Sequence, residues 1–199
     1  MIIYKTQDDK VMIFIHIPKN SGKHIRKQLL LKKDVNIIED IWGIKYAMRL
    51  NITNIAFMVH LSFINHKQYI ATEDTCEFYA HSRNPYDRII SAFFYLNRTK
   101  TIEDFQRFCK EELINMTFTI DISVPNLHYY PQHLFVCDEN LHIPTNMTIY
   151  KIEECENPKI YNLDEYFTGE IYSIINKVYE LDFILFRYNM IEMDKIKNI

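Results

Sequence analysis

The run Val11-Met12-Ile13-Phe14-Ile15-His16-Ile17-Pro18-Lys19-Asn20-Ser21-Gly22-Lys23-His24-Ile25 constrains this chain more than any other segment. Its first half, Val11 to Ile17, is a continuous apolar, β-rich stretch, the pattern of a strand buried on both faces in a parallel sheet. Pro18 and Lys19 end that strand, and small residues make a tight turn. Ser21 to Leu31 then spaces Ile25, Leu29 and Leu30 among basic residues, as a helix packed on a sheet does. Strand, turn and helix start together form an anion cradle. Backbone N–H groups and the positive end of the helix dipole converge on one point, and Lys19 and Lys23 add charge. The chain has only three glycines, and Gly22 is one of them. Its placement here points to a bound phosphate or sulfate group.

The net charge of −3 supplies no global basic field for nucleic acid or acidic membranes, so an anion site has to be local. The length of 199 residues suits one well-buried domain, expected over 1–189 with a charged tail over 190–199. No apolar run approaches the roughly 18 residues of a membrane span, and Met1 to Lys10 is too polar for a signal peptide. The expectation is a soluble, cytoplasmic protein. Cys76, Cys109, Cys137 and Cys155 lack CxxC spacing, which argues against a zinc site and for free, mostly buried thiols. A Cys137–Cys155 bridge is the alternative.

Further along, Ile55 to His60 and Phe78 to Ser82 read as strands. Tyr86 to Leu96 is a helix pattern with Ile89, Ile90, Phe93 and Phe94 on one side. Thr101 caps another helix, with Asp104 where a full capping box prefers Glu or Gln. Asn115 to Asn140 is irregular, Met147 to Ile152 is a fourth strand, and Gly169 to Leu181 is a helix. Strands alternating with helices predict an α/β fold: a single-domain parallel sheet flanked by helices.

The loop is close to a Walker A sequence but fails its template. GxxxxGK[ST] would require Gly at Ile17 and a hydroxyl at His24, so the loop offers no Mg²⁺ ligand. Glu153-Glu154 is the sole mimic of a Walker B acid. A second motif, Ser82-Arg83-Asn84-Pro85-Tyr86-Asp87-Arg88-Ile89-Ile90-Ser91-Ala92, again follows a strand. Arg83 at the strand end offers a bidentate fork for a phosphate, Pro85 suits the first helical turn, and Ser91 can present its hydroxyl to the same anion.

The two motifs together resemble those of sulfotransferases that use 3′-phosphoadenosine 5′-phosphosulfate (PAPS), especially the carbohydrate sulfotransferases, and are similar to those of the heparan sulfate 2-O- and chondroitin sulfotransferases. In that family an apolar strand is followed by Pro-Lys-Thr, two small residues and Thr. Here Asn20 and Lys23 replace the two threonines. Arg-Asn-Pro-Tyr-Asp-Arg followed by Ser-Ala is similar to the family's 3′-phosphate motif. His128-Tyr129-Tyr130-Pro131-Gln132 is similar to a His-Trp-x-Pro-Gln segment. Tyr179-Glu180-Leu181-Asp182-Phe183 through Tyr188 looks like the family's C-terminal ending.

The resemblance implies a sheet like that of P-loop nucleotide kinases and transfer of a sulfuryl group from PAPS to a hydroxyl acceptor, most simply a carbohydrate. It implies Lys19, Asn20, Ser21, Gly22, Lys23 and His24 around the 5′-phosphosulfate, and Arg83 with Ser91 at the 3′-phosphate. Lys19 would meet charge on the leaving phosphate. No metal is implied. His60 is the candidate base, with His66 the runner-up, and an imidazole in that role is worth roughly 10²–10⁴-fold. His128, Gln132 and His133 would touch the acceptor, while His16 reads as a core histidine. Relatives of this kind reside in the Golgi, the alternative to a cytoplasmic location. The rival readings are a degenerate nucleotide-binding or interaction protein and a nucleotide-dependent phosphotransferase.

Overall fold

A computed structural model describes residues 2–40, 63, 76–118 and 126–192 of the chain. Val11–Ile15 (β2) lies beside two parallel neighbours in succession, Glu77–Ser82 (β4) and Met147–Lys151 (β5). On its other side it pairs antiparallel with Ile2–Lys5 (β1), which in turn pairs antiparallel with Asn36–Asp40 (β3). The sheet is therefore mixed, in the order β3-β1-β2-β4-β5, and corrects the expectation of a purely parallel one. The cause is local. Thr6 to Lys10 closes a tight turn through Thr6 N–H to Lys10 O (3.0 Å) and Asp9 N–H to Thr6 O (3.1 Å), with Asp9 at φ 60°. A connection this short can join only antiparallel strands. The predicted strand over Ile55 to His60 lies outside the described residues.

β2 reads as one apolar run because both of its faces are covered. Ile13 and Ile15 pack with Phe78, Ala80, Phe135 and Val136 on one side of the sheet. Phe14 packs on the other side with Ile2, Tyr4 and Tyr79, beneath Ile25 and Leu29 of Gly22–Leu31 (α1). A separate helical core joins Pro85–Leu96 (α2), Ile102–Glu111 (α3), Gly169–Val178 and Glu180–Leu185 through Tyr86, Phe93, Phe105, Ile171, Ile175 and Phe183.

Local chemistry sets these helix starts. Asn84 accepts from Tyr86 N–H (3.0 Å) and Pro85 occupies the first turn of α2. Thr101 and Asp104 close a reciprocal capping box (Asp104 N–H to Thr101 Oγ1, 3.2 Å; Thr101 N–H to Asp104 Oδ2, 3.1 Å), so Asp does the work of the expected Glu or Gln. The helix predicted over Gly169 to Leu181 breaks at Tyr179, and a second helix runs through the expected closing segment. Met190 and Ile191, the first residues of the expected tail, are joined to the helical core. Ile191 N–H donates to the Tyr86 hydroxyl (2.8 Å), and Asn176 donates to Ile191 O (3.0 Å). Cys76, Cys109 and Cys137 are buried free thiols and Cys155 is an exposed one, so the alternative of a Cys137–Cys155 bridge is not formed. Among the described residues no helix is long and apolar enough to cross a membrane.

Candidate functional site

β2 and β4 run parallel, so their C-terminal ends release the two motifs side by side. Lys19 and Arg83 are 64 residues apart in sequence, yet Arg83 Nη1 donates to the Lys19 carbonyl at 3.2 Å. Its Nη2 donates to the Lys159 carbonyl, and its buried Nε has no hydrogen-bond partner among the described residues. The fully buried Arg88 grips the same loop from beneath, through Nε to Pro18 O (3.1 Å) and Nη2 to His128 O (3.3 Å). On α2 the spacing of Arg88, Ser91 and Tyr95 places all three on the side that meets the loop. Ser91 is half-buried there, eight positions beyond Arg83.

The loop turns through two left-handed residues, Lys19 at φ 70° and Ser21 at φ 58°. Gly22 is not one of them. Its hydrogen faces the imidazole of His16, which lies where a Cβ would go. This glycine therefore serves close approach to His16 and not a left-handed turn conformation. His16 is buried and stacks with Phe14 at 6.1 Å between centroids. Ser21 makes no side-chain cap to α1 and no acidic residue stands in the first turn; His24 N–H and Ile25 N–H turn back to Ser21 O (2.9 and 3.1 Å), which leaves the N–H groups before them for an anion. Ser21, Lys23 and His24 are exposed beside them.

Three residues expected at the ligand are held by protein. Asn20 is fully buried: its N–H donates to Ile17 O (3.3 Å), and its Nδ2 donates to His81 O and to Gln132 Oε1 (2.6 Å). Gln132, also fully buried, accepts Arg83 N–H (2.9 Å) and donates to Arg83 O (2.8 Å). One carboxamide thus ties the loop to the strand end that carries Arg83. His133 is buried with its Nδ1 on Asp182 Oδ1 (2.8 Å). These hydrogen bonds brace the loop against the end of β4, while Asn20 Oδ1 is buried without a hydrogen-bond partner among the described residues. His60 and His66 lie outside the described residues.

The electrostatics are lopsided. Lys19 has Arg83, Lys23, Lys159 and Arg88 for neighbours, and burial first, then these cations, lower its ammonium to about 8. None of Lys19, Lys23, Lys159 and Arg83 makes an ion pair among the described residues. Burial, reinforced by Arg88 and Lys19, lowers His128 to about 4, so its ring is neutral at pH 7. Of the Walker B mimic Glu153-Glu154, Glu153 accepts Asn84 N–H (2.7 Å) and the Tyr188 hydroxyl (2.8 Å) through its two oxygens, and Glu154 is exposed. No family model, curated sequence or solved structure matches this chain. The site therefore stands on its geometry.

Beside the loop, a cavity of about 790 Å³ opens between α1, the sheet face and the 155–159 segment. Ser21, His24 and Lys159 line one end of it, and the rings of Tyr79, His81 and Tyr150 line its floor. Sequence reading missed Lys159 and Tyr161, whose ring lies 4.7 Å from Lys159 Nζ and 5.6 Å from the Arg83 guanidinium carbon. Neither belongs to a motif, and only the fold brings them over Arg83. No group of three His, Cys, Asp or Glu side chains able to hold a metal occurs among the described residues.

Proposed function

We propose that the chain is a PAPS-dependent sulfotransferase acting on a hydroxyl acceptor, most simply a carbohydrate. One observation carries this reading: two phosphate-type motifs distant in sequence meet in a cluster of cations, where Lys19, Lys23, Lys159 and Arg83 make no ion pair among the described residues. Asp87 and Glu153 act on Arg83 only from beyond ion-pair distance, and the buried Arg83 Nε has no hydrogen-bond partner among those residues. Such a cluster is costly in the empty protein and is relieved by a ligand with several negative charges. PAPS would supply an activated sulfuryl group on a phosphate leaving group. The open N–H groups from Ser21 to Lys23 would hold its 5′ end, and Arg83, Ser91 and Lys159 its 3′-phosphate. The ring-lined cavity beside Ser21 and His24 has room for the nucleoside.

Sulfuryl transfer, like phosphoryl transfer, runs in line through a loose transition state, so positioning and charge neutralisation dominate. As the acceptor oxygen bonds sulfur and the sulfur–oxygen bond to phosphate breaks, Lys19 meets the charge left on the phosphate. His60, as base, takes the acceptor proton. With His24 standing where a loop hydroxyl would bind Mg²⁺, an ordinary Mg²⁺-dependent phosphotransferase is the weaker reading.

Titration with adenosine 3′,5′-bisphosphate, AMP and ATP tests the proposal. The bisphosphate is expected to bind most tightly. Arg83→Ala is expected to weaken it by roughly 10- to 100-fold while barely changing AMP, the worth of a charge-assisted contact to the 3′-phosphate. Equal affinity for all three nucleotides would sink the proposal. Tight bisphosphate binding with no sulfate passed to any glycan or small alcohol would favour the binding-protein reading.

The depressed Lys19 titration gives a pH signature of opposite sign for binding and folding. Bisphosphate affinity is expected to fall as pH rises through about 8, where the ammonium is lost. The unfolded chain keeps that proton up to the ordinary lysine range, so between these limits it binds more protons than the native state. Stability of the ligand-free protein should then rise with pH in that window. Lys19→Met should remove both slopes. A bisphosphate affinity flat from pH 7 to 9 in the wild type would refute the assignment of Lys19.

A further inference from the structure

Tyr95 stands in the last turn of α2, on the side that carries Arg88 and Ser91, and no motif in the sequence marks it. Its ring lies 3.8 Å from the Lys19 ammonium, measured to the ring centroid. His128 packs against the same ring at 5.1 Å and 30°. Tyr95 is 41% exposed and belongs to none of the buried clusters, so packing alone gives no reason for an aromatic there.

Among the described residues the charged groups that act on Lys19 are positive: Arg83 beyond the end of β4, Arg88 on α2, Lys23 on α1, and Lys159. The remaining titratable neighbour, His128, is a neutral ring at pH 7. The negative face of the Tyr95 ring is thus the one compensating partner of the Lys19 ammonium among the described residues.

We propose that Tyr95 is a positioning residue for Lys19, its ring holding the ammonium over the anion loop and keeping it protonated while the site is empty. The role rests on the reading of Lys19 as the charge that meets the leaving phosphate. It does not require the ligand to be PAPS. Two consequences follow from the physics of a cation over a ring. An aromatic of the same shape without the hydroxyl retains the effect. An aliphatic side chain of similar bulk keeps the shielding from water but loses the quadrupole, so the ammonium gives up its proton more readily.

The test is the pH dependence of Lys19 acylation in the intact chain. A lysine-directed reagent is used and the Lys19 peptide is quantified by mass spectrometry, so the readout needs no nucleotide. Wild type and Tyr95→Phe are expected to share a midpoint near the value that burial and the cations set. Tyr95→Leu should fall below them by about half to one pH unit, the scale of a partly desolvated cation–ring contact. Bisphosphate affinity at pH 8 should fall about three- to tenfold in Tyr95→Leu and be retained in Tyr95→Phe. An unmoved midpoint in Tyr95→Leu, or a Tyr95→Phe variant that matches Leu, overturns the proposal. A shifted midpoint in a protein that binds no bisphosphate leaves Tyr95 as the partner of Lys19 and overturns the sulfotransferase reading instead.

Discussion

Replacement of Asp182 by alanine is expected to cost about 3–5 kcal/mol of stability and to free the anion loop from the end of β4. Asp182 has no exposed surface, and its two oxygens serve three donors. Oδ2 accepts Gln132 N–H at 2.7 Å, while Oδ1 accepts His133 N–H at 2.9 Å and pairs with His133 Nδ1 at 2.8 Å. Alanine leaves these donors buried without acceptors, and each such orphan costs about 1–3 kcal/mol. The damage would travel along one physical chain. Gln132 loses its backbone anchor, and its carboxamide is what joins Asn20 to the backbone of Arg83. Asp182→Asn keeps the volume and one acceptor, so it should fall between alanine and wild type. Thermal melts decide the matter: about 10 °C is expected for alanine at this chain size, and a drop under 2 °C would show that the buried network bears little of the load.

That network explains what the sequence could and could not reveal. The strand–turn–helix at Phe14 to Ile25 and the strand–helix at Ser82 to Leu96 were legible, because buried strands and capped helices leave local periodic signals. The antiparallel Ile2–Lys5 strand was hidden, since four residues before a polar turn carry too little pattern to stand out. The bracing bonds of Asn20, Gln132 and His133 are not legible in the sequence, because polar side chains near a site look alike there, whether they face a ligand or a backbone carbonyl. Only the partners at both ends of each hydrogen bond separate the two roles. Tyr95, Lys159 and Tyr161 were invisible for a related reason: they gain meaning from the loop they face across the fold, not from neighbours in the chain.

Gly22→Ala is expected to destabilise the protein by about 2–3 kcal/mol, against the gain that helix propensity alone would give. Gly22 opens α1 without a positive φ, so its backbone conformation is open to any residue. Were backbone conformation all that mattered at this position, alanine would stabilise by about 0.4–1 kcal/mol through the unfolded state. The His16 imidazole decides the sign, because a Cβ would fall within it. That ring is itself held, with Phe14 stacked on it in the sheet. Relief must come from moving the loop, and with it the Lys19 carbonyl that Arg83 holds. Weaker bisphosphate binding should therefore accompany the loss of stability. The double variant His16→Ala, Gly22→Ala removes the obstacle, so the two changes should be non-additive by about 1–3 kcal/mol, with the pair more stable than the sum of the singles. Strict additivity would mean that the imidazole does not set the position of the loop. A stabilised Gly22→Ala would mean that the close approach itself is absent.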